Sequence, residues 1–193
     1  VDHAQYQSLR RVIDFVDIDS DKWRQYAEKS GGIKRWFYQR EARLLQQYEM
    51  QICQHFNSSL FVSDDEAKAF RSLLPLQQHS RVYSVLNGVD TEYFSPEVPP
   101  ASAEKSLPPH YIVFTGAMDY WANVDAVCWF CQHVWPRLKQ QHPDLHFLIV
   151  GGNPGQDVKA LAQQQGVIVT GRVQDVRPYI SGARFAVAPM LIA

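Results

Sequence analysis

The sequence predicts an α/β protein made of parts of two domains, each a parallel sheet covered by helices, joined by a proline-rich linker. Three observations carry this. Short apolar segments alternate with amphipathic stretches along the whole chain, and strands separated by single helices form parallel sheets with both faces covered. Most of the apolar segments end in small or acidic residues followed by a helix signal, as in doubly wound folds. Residues 95–109 (SPEVPPASAEKSLPP) hold five of the eleven prolines and show almost no periodicity, which is linker composition. The expected parts are therefore 1–94, the linker 95–109, and 110–193.

In the first part, Arg11 to Asp19 (RVIDFVDID) alternates apolar and acidic residues and reads as a strand ending in a carboxylate-rich turn. Asp19, Ser20 and Asp21 offer N-cap oxygens for a short helix carrying Trp23, Tyr26 and Ala27, stopped at Gly31-Gly32. A long helix follows from about Lys34 to Phe56, with Phe37, Leu44, Leu45, Tyr48, Ile52 and Phe56 expected on one face. Ser59 to Val62 is a short buried strand. Ser63-Asp64-Asp65-Glu66 is a capping box for a helix running to Leu74. Val82 to Leu86 is the next strand, turning at Asn87-Gly88, where Gly88 can take positive φ.

In the second part, Tyr111 to Phe114 is a strand running into Thr115-Gly116-Ala117, followed by a helix from about Val124 to Leu138. That helix places Val127, Phe130, Val134 and Leu138 on one face. Leu145 to Val150 is a continuous apolar strand closed by Gly151 to Gly155. A helix from Val158 to Gln165, a strand from Val167 to Thr170, a short helix from Val176 to Ser181 and a strand from Phe185 to Ala188 complete the alternation.

Composition narrows the function classes. The 193 residues are 46 % hydrophobic and 20 % charged with a formal net charge of -1, which is a soluble globular composition without the basic excess of a nucleic-acid binder. No stretch approaches the roughly 18 apolar residues that span a bilayer. Three cysteines give an odd count and no disulfide framework, which points to a reducing cytoplasmic compartment. A start at Val1 and an end just past an apolar strand lead us to expect an internal piece of a longer protein.

Ligands of open α/β sheets bind beyond the carboxyl ends of the strands. That rule selects Thr115 to Asp119, Gly151 to Gly155, and Gly171-Arg172-Val173. Small residues there let a phosphate or sugar approach backbone N–H groups, helix N-termini favour anions, and Arg172 supplies a cation suited to a diphosphate. Each of these turns also reads as an ordinary strand–helix connection. Neither G-x-G-x-x-G nor a P-loop lysine motif is present.

Five segments carry a resemblance. Asn87-Gly88-Val89-Asp90-Thr91-Glu92-Tyr93-Phe94-Ser95-Pro96 resembles the hinge of the family-4 glycosyltransferases. The run Phe114 to Ala126, with Gly116-Ala117-Met118, Trp121 and Asn123-Val124-Asp125-Ala126, is similar to the sugar transferases that accompany exosortase and exopolysaccharide systems. Val16 to Trp23, Val150 to Pro154 and Thr170 to Val176 fit the same subgroup in the same order. The resemblance implies the GT-B fold, with two Rossmann-like domains, the first acceptor-side and the second donor-side. It implies a nucleoside-diphosphate sugar as donor, a glycan or lipid-linked acceptor, no tightly bound cofactor or metal, and a role in exopolysaccharide or cell-surface polysaccharide synthesis. Gly116, Ala117 and Met118 would then lie against the donor phosphates, with Gly151 and Arg172 close to the nucleotide and Asp119, Gly152 and Val173 in the same loops. Ser63, Asn87, Gly88 and Asp90 would line the hinge and cleft. Asp17, Asp19 and Asp21 would orient the acceptor hydroxyl or act as base.

The chain departs from that family in its first loop, which lacks the arginine and lysine that grip the diphosphate. The glutamate pair that grips donor sugar and ribose would lie beyond Ala193, so this piece by itself is expected to be inactive. Two rival functions stay open, a non-catalytic sugar-nucleotide-binding or scaffolding module and a GT-B-fold sugar-nucleotide epimerase. Other residues also have two readings. Cys128 and Cys131 with His133 read as helix packing or as a redox or zinc motif. The three aspartates read as helix caps or cation ligands. Trp36, Phe37 and Tyr38 with Lys34, Arg35, Arg40 and Arg43 read as core and interdomain surface, as a base-stacking platform, or as a patch for peripheral association with the inner membrane face.

Overall fold

The computed structural model describes residues 8–97 and 107–190. Residues 98–106 of the expected linker lie outside the described residues, as do the termini on which the expectation of an internal piece rests. The chain divides into two compact units, 1–88 and 89–193. Each holds a three-stranded parallel sheet with helices packed on it, the α/β architecture the alternation predicts.

In the first unit the order is β1 (Val12–Val16), α1 (Asp19–Glu28), α2 (Gly32–His55), β2 (Ser58–Phe61), α3 (Asp64–Ser72), a 3-10 turn over Leu76–Arg81, and β3 (Val82–Ser84). The sheet order is β1-β2-β3. Ile18, Cys53, Phe61, Ala67, Phe70, Leu74 and Val82 form the core, with Phe15 stacked on Phe61 at 5.4 Å between ring centroids. Helices cover one face of this sheet; Val12 and Tyr83, on the other, are exposed.

Several elements differ from expectation for identifiable reasons. β1 stops at Val16, three residues early, because its pairing with β2 shifts register after Asp14 and Val16 adopts φ 67°. A β-branched residue in that region is strained, by about 1–3 kcal/mol. Asp19, Ser20 and Asp21 do not cap α1: they are its first residues, Ile18 occupies the N-cap, and no side-chain cap bond forms there. The buried residues of α2 are Glu49 and Cys53, whereas Phe37, Leu44 and Tyr48 of the expected face are exposed. α2 meets the core through Cys53 and Met50, with Glu49 buried as well, so its inward side is offset from the expected apolar stripe. Gly32, which opens α2, takes φ 59°, and Gly88 is not among the positive-φ glycines. β3 ends at Ser84, before the expected Leu86.

In the second unit the order is β4 (Tyr111–Thr115), α4 (Trp121–His133), α5 (Trp135–Gln141), β5 (His146–Val150), α6 (Gln156–Ala160), a 3-10 turn over Leu161–Gln163, β6 (Val167–Gly171) and α7 (Arg177–Ser181). The sheet order is β4-β5-β6, and Ala186 adds an isolated parallel bridge to Val113. That bridge is what the structure has of the strand expected at Phe185 to Ala188. Alternation sends Ile112, Phe114, Phe147 and Ile149 into one core and Tyr111, Val113, Leu148 and Val150 into another, so this sheet is buried on both faces. The single helix expected from Val124 to Leu138 starts at Trp121 and breaks at Val134. Pro136 has no N–H, and its ring crowds the carbonyl four residues back. Trp135 is buried at the break, and its indole N–H donates to the Gln165 carbonyl at 3.1 Å.

Candidate functional site

The carboxyl ends of β4, β5 and β6 bring three loops together. Gly116 N donates to Val150 O at 3.1 Å, Met118 N to Gly152 O at 2.8 Å, and Gly151 N to Gly171 O at 3.2 Å. Asn153 Nδ2 donates to Asp119 Oδ2 at 2.8 Å, and Asn123 Nδ2 donates to Ala117 O at 2.9 Å, tying the first loop to its neighbour and to α4. Met118 is buried and anchors the first loop in the core. The sequence therefore placed Gly116, Ala117, Met118, Asp119, Gly151, Gly152, Arg172 and Val173 in segments that lie side by side.

The glycines act first through packing. A Cβ on Gly151 would stand 1.7 Å from the Gly116 carbonyl oxygen, and one on Gly116 would stand 2.7 Å from Asn123 Nδ2. Gly171 takes φ 71° where β6 ends. The amides of Gly116, Met118 and Gly151 are engaged between the loops, whereas those of Ala117 and Gly152 carry no such bond among the described residues. Arg172 runs beside Gly152, whose Cβ would lie 3.7 Å from Arg172 Cβ. It is exposed and makes no ion pair among the described residues. Val173 packs against the Tyr111–Val113 side of the sheet.

A residue the sequence reading missed lies beyond the third loop. Arg177 donates from Nε and Nη2 to the Asp175 carboxylate at 2.6–3.0 Å. Those hydrogen bonds hold the Asp175 carboxyl below the usual range. The same guanidinium fixes Tyr93 of the hinge segment to this unit. Asp90 caps that segment locally, its Oδ1 accepting from Glu92 N at 3.1 Å and Tyr93 N at 2.8 Å.

In the first unit, the three aspartates lie after β1. Lys22 Nζ reaches Asp17 and Asp19, each at 3.1 Å. Burial alone would weaken the Lys22 ammonium, but the hydrogen bonds to Asp17 and Asp19 outweigh it and raise its pKa. Arg24 pairs with Asp21 at 2.7 Å and with Glu28 at 2.6 Å. Ser20 N and Oγ donate to Glu49 at 3.0 and 2.5 Å, and Ile18 N donates to Glu66 at 3.0 Å. Glu49 is 3 % exposed; burial raises its pKa despite the hydrogen bonds from Ser20. Ser63 caps α3 by accepting from Glu66 N at 3.1 Å. The return half of the capping box is missing because the Glu66 carboxylate is turned to Ile18. Asn87 and Gly88 are exposed. No group of three or more His, Cys, Asp or Glu suited to a metal ion occurs among the described residues. Cys128 and Cys131 lie within α4, where burial raises both thiols, Cys131 to about 12; Cys131 is a core residue and Cys128 is half-buried beside it, and neither has the lowered pKa of a reactive thiol.

Residues 109–193 match the family described as glycosyl transferases group 1. A comparison with curated proteins finds no match. Among solved structures, the chain is similar to a trehalose-6-phosphate synthase studied with bisubstrate glycomimetics, at TM-score 0.48 and 12 % identity over 72 % of this chain and 39 % of that one. It is similar to the apo structure of OtsA, at TM-score 0.48 and 10 % identity over 72 % of this chain and 39 % of that one. It is also similar to an α,α-trehalose 6-phosphate synthase from Burkholderia multivorans, at TM-score 0.48 and 8 % identity over 78 % and 41 %. The chain spans about two fifths of the length of these structures. A fold likeness of this kind does not transfer an activity.

Proposed function

We propose that the chain is part of a glycosyltransferase that moves a sugar from a nucleoside-diphosphate donor to a glycan or lipid-linked acceptor. One observation carries the reading: three small-residue loops meet at the carboxyl ends of β4, β5 and β6, inside the segment that matches glycosyl transferases group 1, beside Arg172, which makes no ion pair among the described residues. Departure of a nucleoside diphosphate concentrates negative charge on its phosphates. The Ala117 and Gly152 amides and the Arg172 guanidinium would meet that charge. Arg172 would then take the part of the cations missing from the first loop. Asp17, Asp19 and Asp21 would serve the acceptor hydroxyl; their ion pairs with Lys22 and Arg24 are the solvent-screened kind, worth about 0–1 kcal/mol, and are readily exchanged. The role in cell-surface polysaccharide synthesis rests on the resemblance of the five segments, and the proline-rich stretch as interdomain linker rests on its composition.

The test is titration with uridine and guanosine diphosphates, followed by Arg172→Ala. Binding that weakens about tenfold on substitution, as loss of a charge-assisted contact implies, supports the reading. Equal binding by both proteins sinks Arg172 as the phosphate group. Nucleoside diphosphate release that needs acceptor separates a transferase from an epimerase.

Peripheral association with a membrane face belongs to the same proposal. Ile33 and Trp36 on α2 are 86 % and 65 % exposed, beside Lys34, Arg35, Arg40 and Arg43, a combination that suits an anionic lipid surface. No helix among the described residues is long and apolar enough to cross a membrane. Co-sedimentation with anionic but not zwitterionic vesicles, lost in Trp36→Glu, checks it.

A further inference from the structure

We infer that Glu49 is a positioning residue: its buried carboxylate, with that of Glu66, replaces the missing N-cap of α1 and fixes the Asp17–Asp21 turn. The inference rests on the acceptor-side role proposed for those aspartates.

The first N–H groups of a helix need acceptors, and α1 has no side-chain cap of its own. Its Ser20 N and Oγ are taken by the two oxygens of Glu49, from the middle of α2 and separated by 29 residues in sequence. Ile18 N is taken by Glu66 on α3. Ser20 and Glu49 are each 3 % exposed. A buried carboxyl group enters such an environment only with hydrogen-bond partners, and here Ser20 supplies two, its amide and its hydroxyl.

The backbone entering the turn gives an independent reason to look for a holding device. Val16 sits at φ 67°, directly before Asp17, where the β1–β2 register shifts. A β-branched residue stays in that conformation only when its surroundings over-determine it, and such strain clusters at functional sites. Glu49 and Glu66 grip the chain two to four residues later, on the far side of Asp17. Asp17 and Asp19 are thus carried between a strained strand end and a clamped helix start. Their carboxylates stay partly exposed, with Lys22 as their partner.

The experiment compares Glu49→Ala, Glu49→Gln and Ser20→Ala in the full-length protein. The readings are kcat, KM for donor and acceptor, uridine or guanosine diphosphate Kd, and amide hydrogen exchange at residues 18–21. Glu49→Ala is expected to lower kcat by about tenfold or more, the scale of a small misplacement of a reacting group. Nucleotide Kd should stay unchanged, because the donor loops belong to the second unit. Glu49→Gln keeps an acceptor for the Ser20 amide and is expected to recover kcat to within about threefold. Folded Glu49→Ala and Ser20→Ala proteins that both keep the wild-type kcat would overturn the inference. Should wild type transfer no sugar, the transferase reading falls by itself. The clamp is then read from exchange alone: faster exchange confined to residues 18–21 in Glu49→Ala supports it, and unchanged protection overturns it.

Discussion

Arg177 lies over the ring of Tyr93, with its guanidinium carbon 3.7 Å from the ring centroid, while Nη1 donates to the Tyr93 carbonyl at 3.0 Å. Asp175 holds the other edge of the same guanidinium, so its plane is fixed by a carboxylate, a carbonyl and a ring together. Only a planar, forked cation satisfies all three. Arg177→Lys should therefore behave like Arg177→Ala. Both should speed hydrogen exchange at the Tyr93 and Phe94 amides by about tenfold and leave the β4–β6 amides protected. Retention of wild-type exchange in Arg177→Lys would show that charge alone suffices.

Gly151 is required by close approach and not by backbone freedom, because its Cβ would stand 1.7 Å from the Gly116 carbonyl. Gly151→Ala should push the first two loops apart and lower stability by about 1–3 kcal/mol. Gly155, which has nothing within 4 Å of a Cβ, should accept alanine with a change inside about 0.5 kcal/mol. Urea denaturation of the two variants checks the contrast.

Ser63→Ala removes the acceptor for the Glu66 amide at the start of α3 and should cost about 1 kcal/mol. Ser63→Asp restores an acceptor and should recover most of it. Thermal unfolding of both variants measures the difference.

Glu49 gives a pH-dependent stability with a defined sign. Its folded-state pKa is raised, first by burial, so the folded state holds a proton that the unfolded chain has released. Its contribution therefore falls as pH rises from the ordinary glutamate range through the raised folded value, and levels off above that. Glu49→Gln has no such titration. The stability of wild type relative to Glu49→Gln should decline as pH rises above the ordinary glutamate range, read from urea midpoints. A rising difference would contradict the sign.

The sequence made legible what depends on local chemistry. The apolar runs at Tyr111–Phe114 and Leu145–Val150 could only be buried strands, and Ser63 before an acidic turn marked a helix start. The loops after β4, β5 and β6 followed from the rule that ligands gather at strand carboxyl ends. What stayed hidden depends on distant partners. Glu49 sits mid-helix, where a glutamate ordinarily faces water, and only the packing of α1 on α2 shows its buried partner. Arg177 meets Tyr93 across 84 residues. The face of α2 was misjudged because periodicity assumes that the apolar stripe is the buried one, whereas Glu49 and Cys53 lie inward.

The most direct test of the central claim is stoichiometric: incubate the full-length protein with nucleoside-diphosphate sugars and a glycan or lipid-linked acceptor, and follow nucleoside diphosphate release against sugar transferred. The transferase account expects one nucleoside diphosphate for each sugar moved, only with acceptor present, and a strong loss in Arg172→Ala. Binding of nucleotide sugar without any release, in the presence of every acceptor tried, would contradict it and leave a binding module in its place.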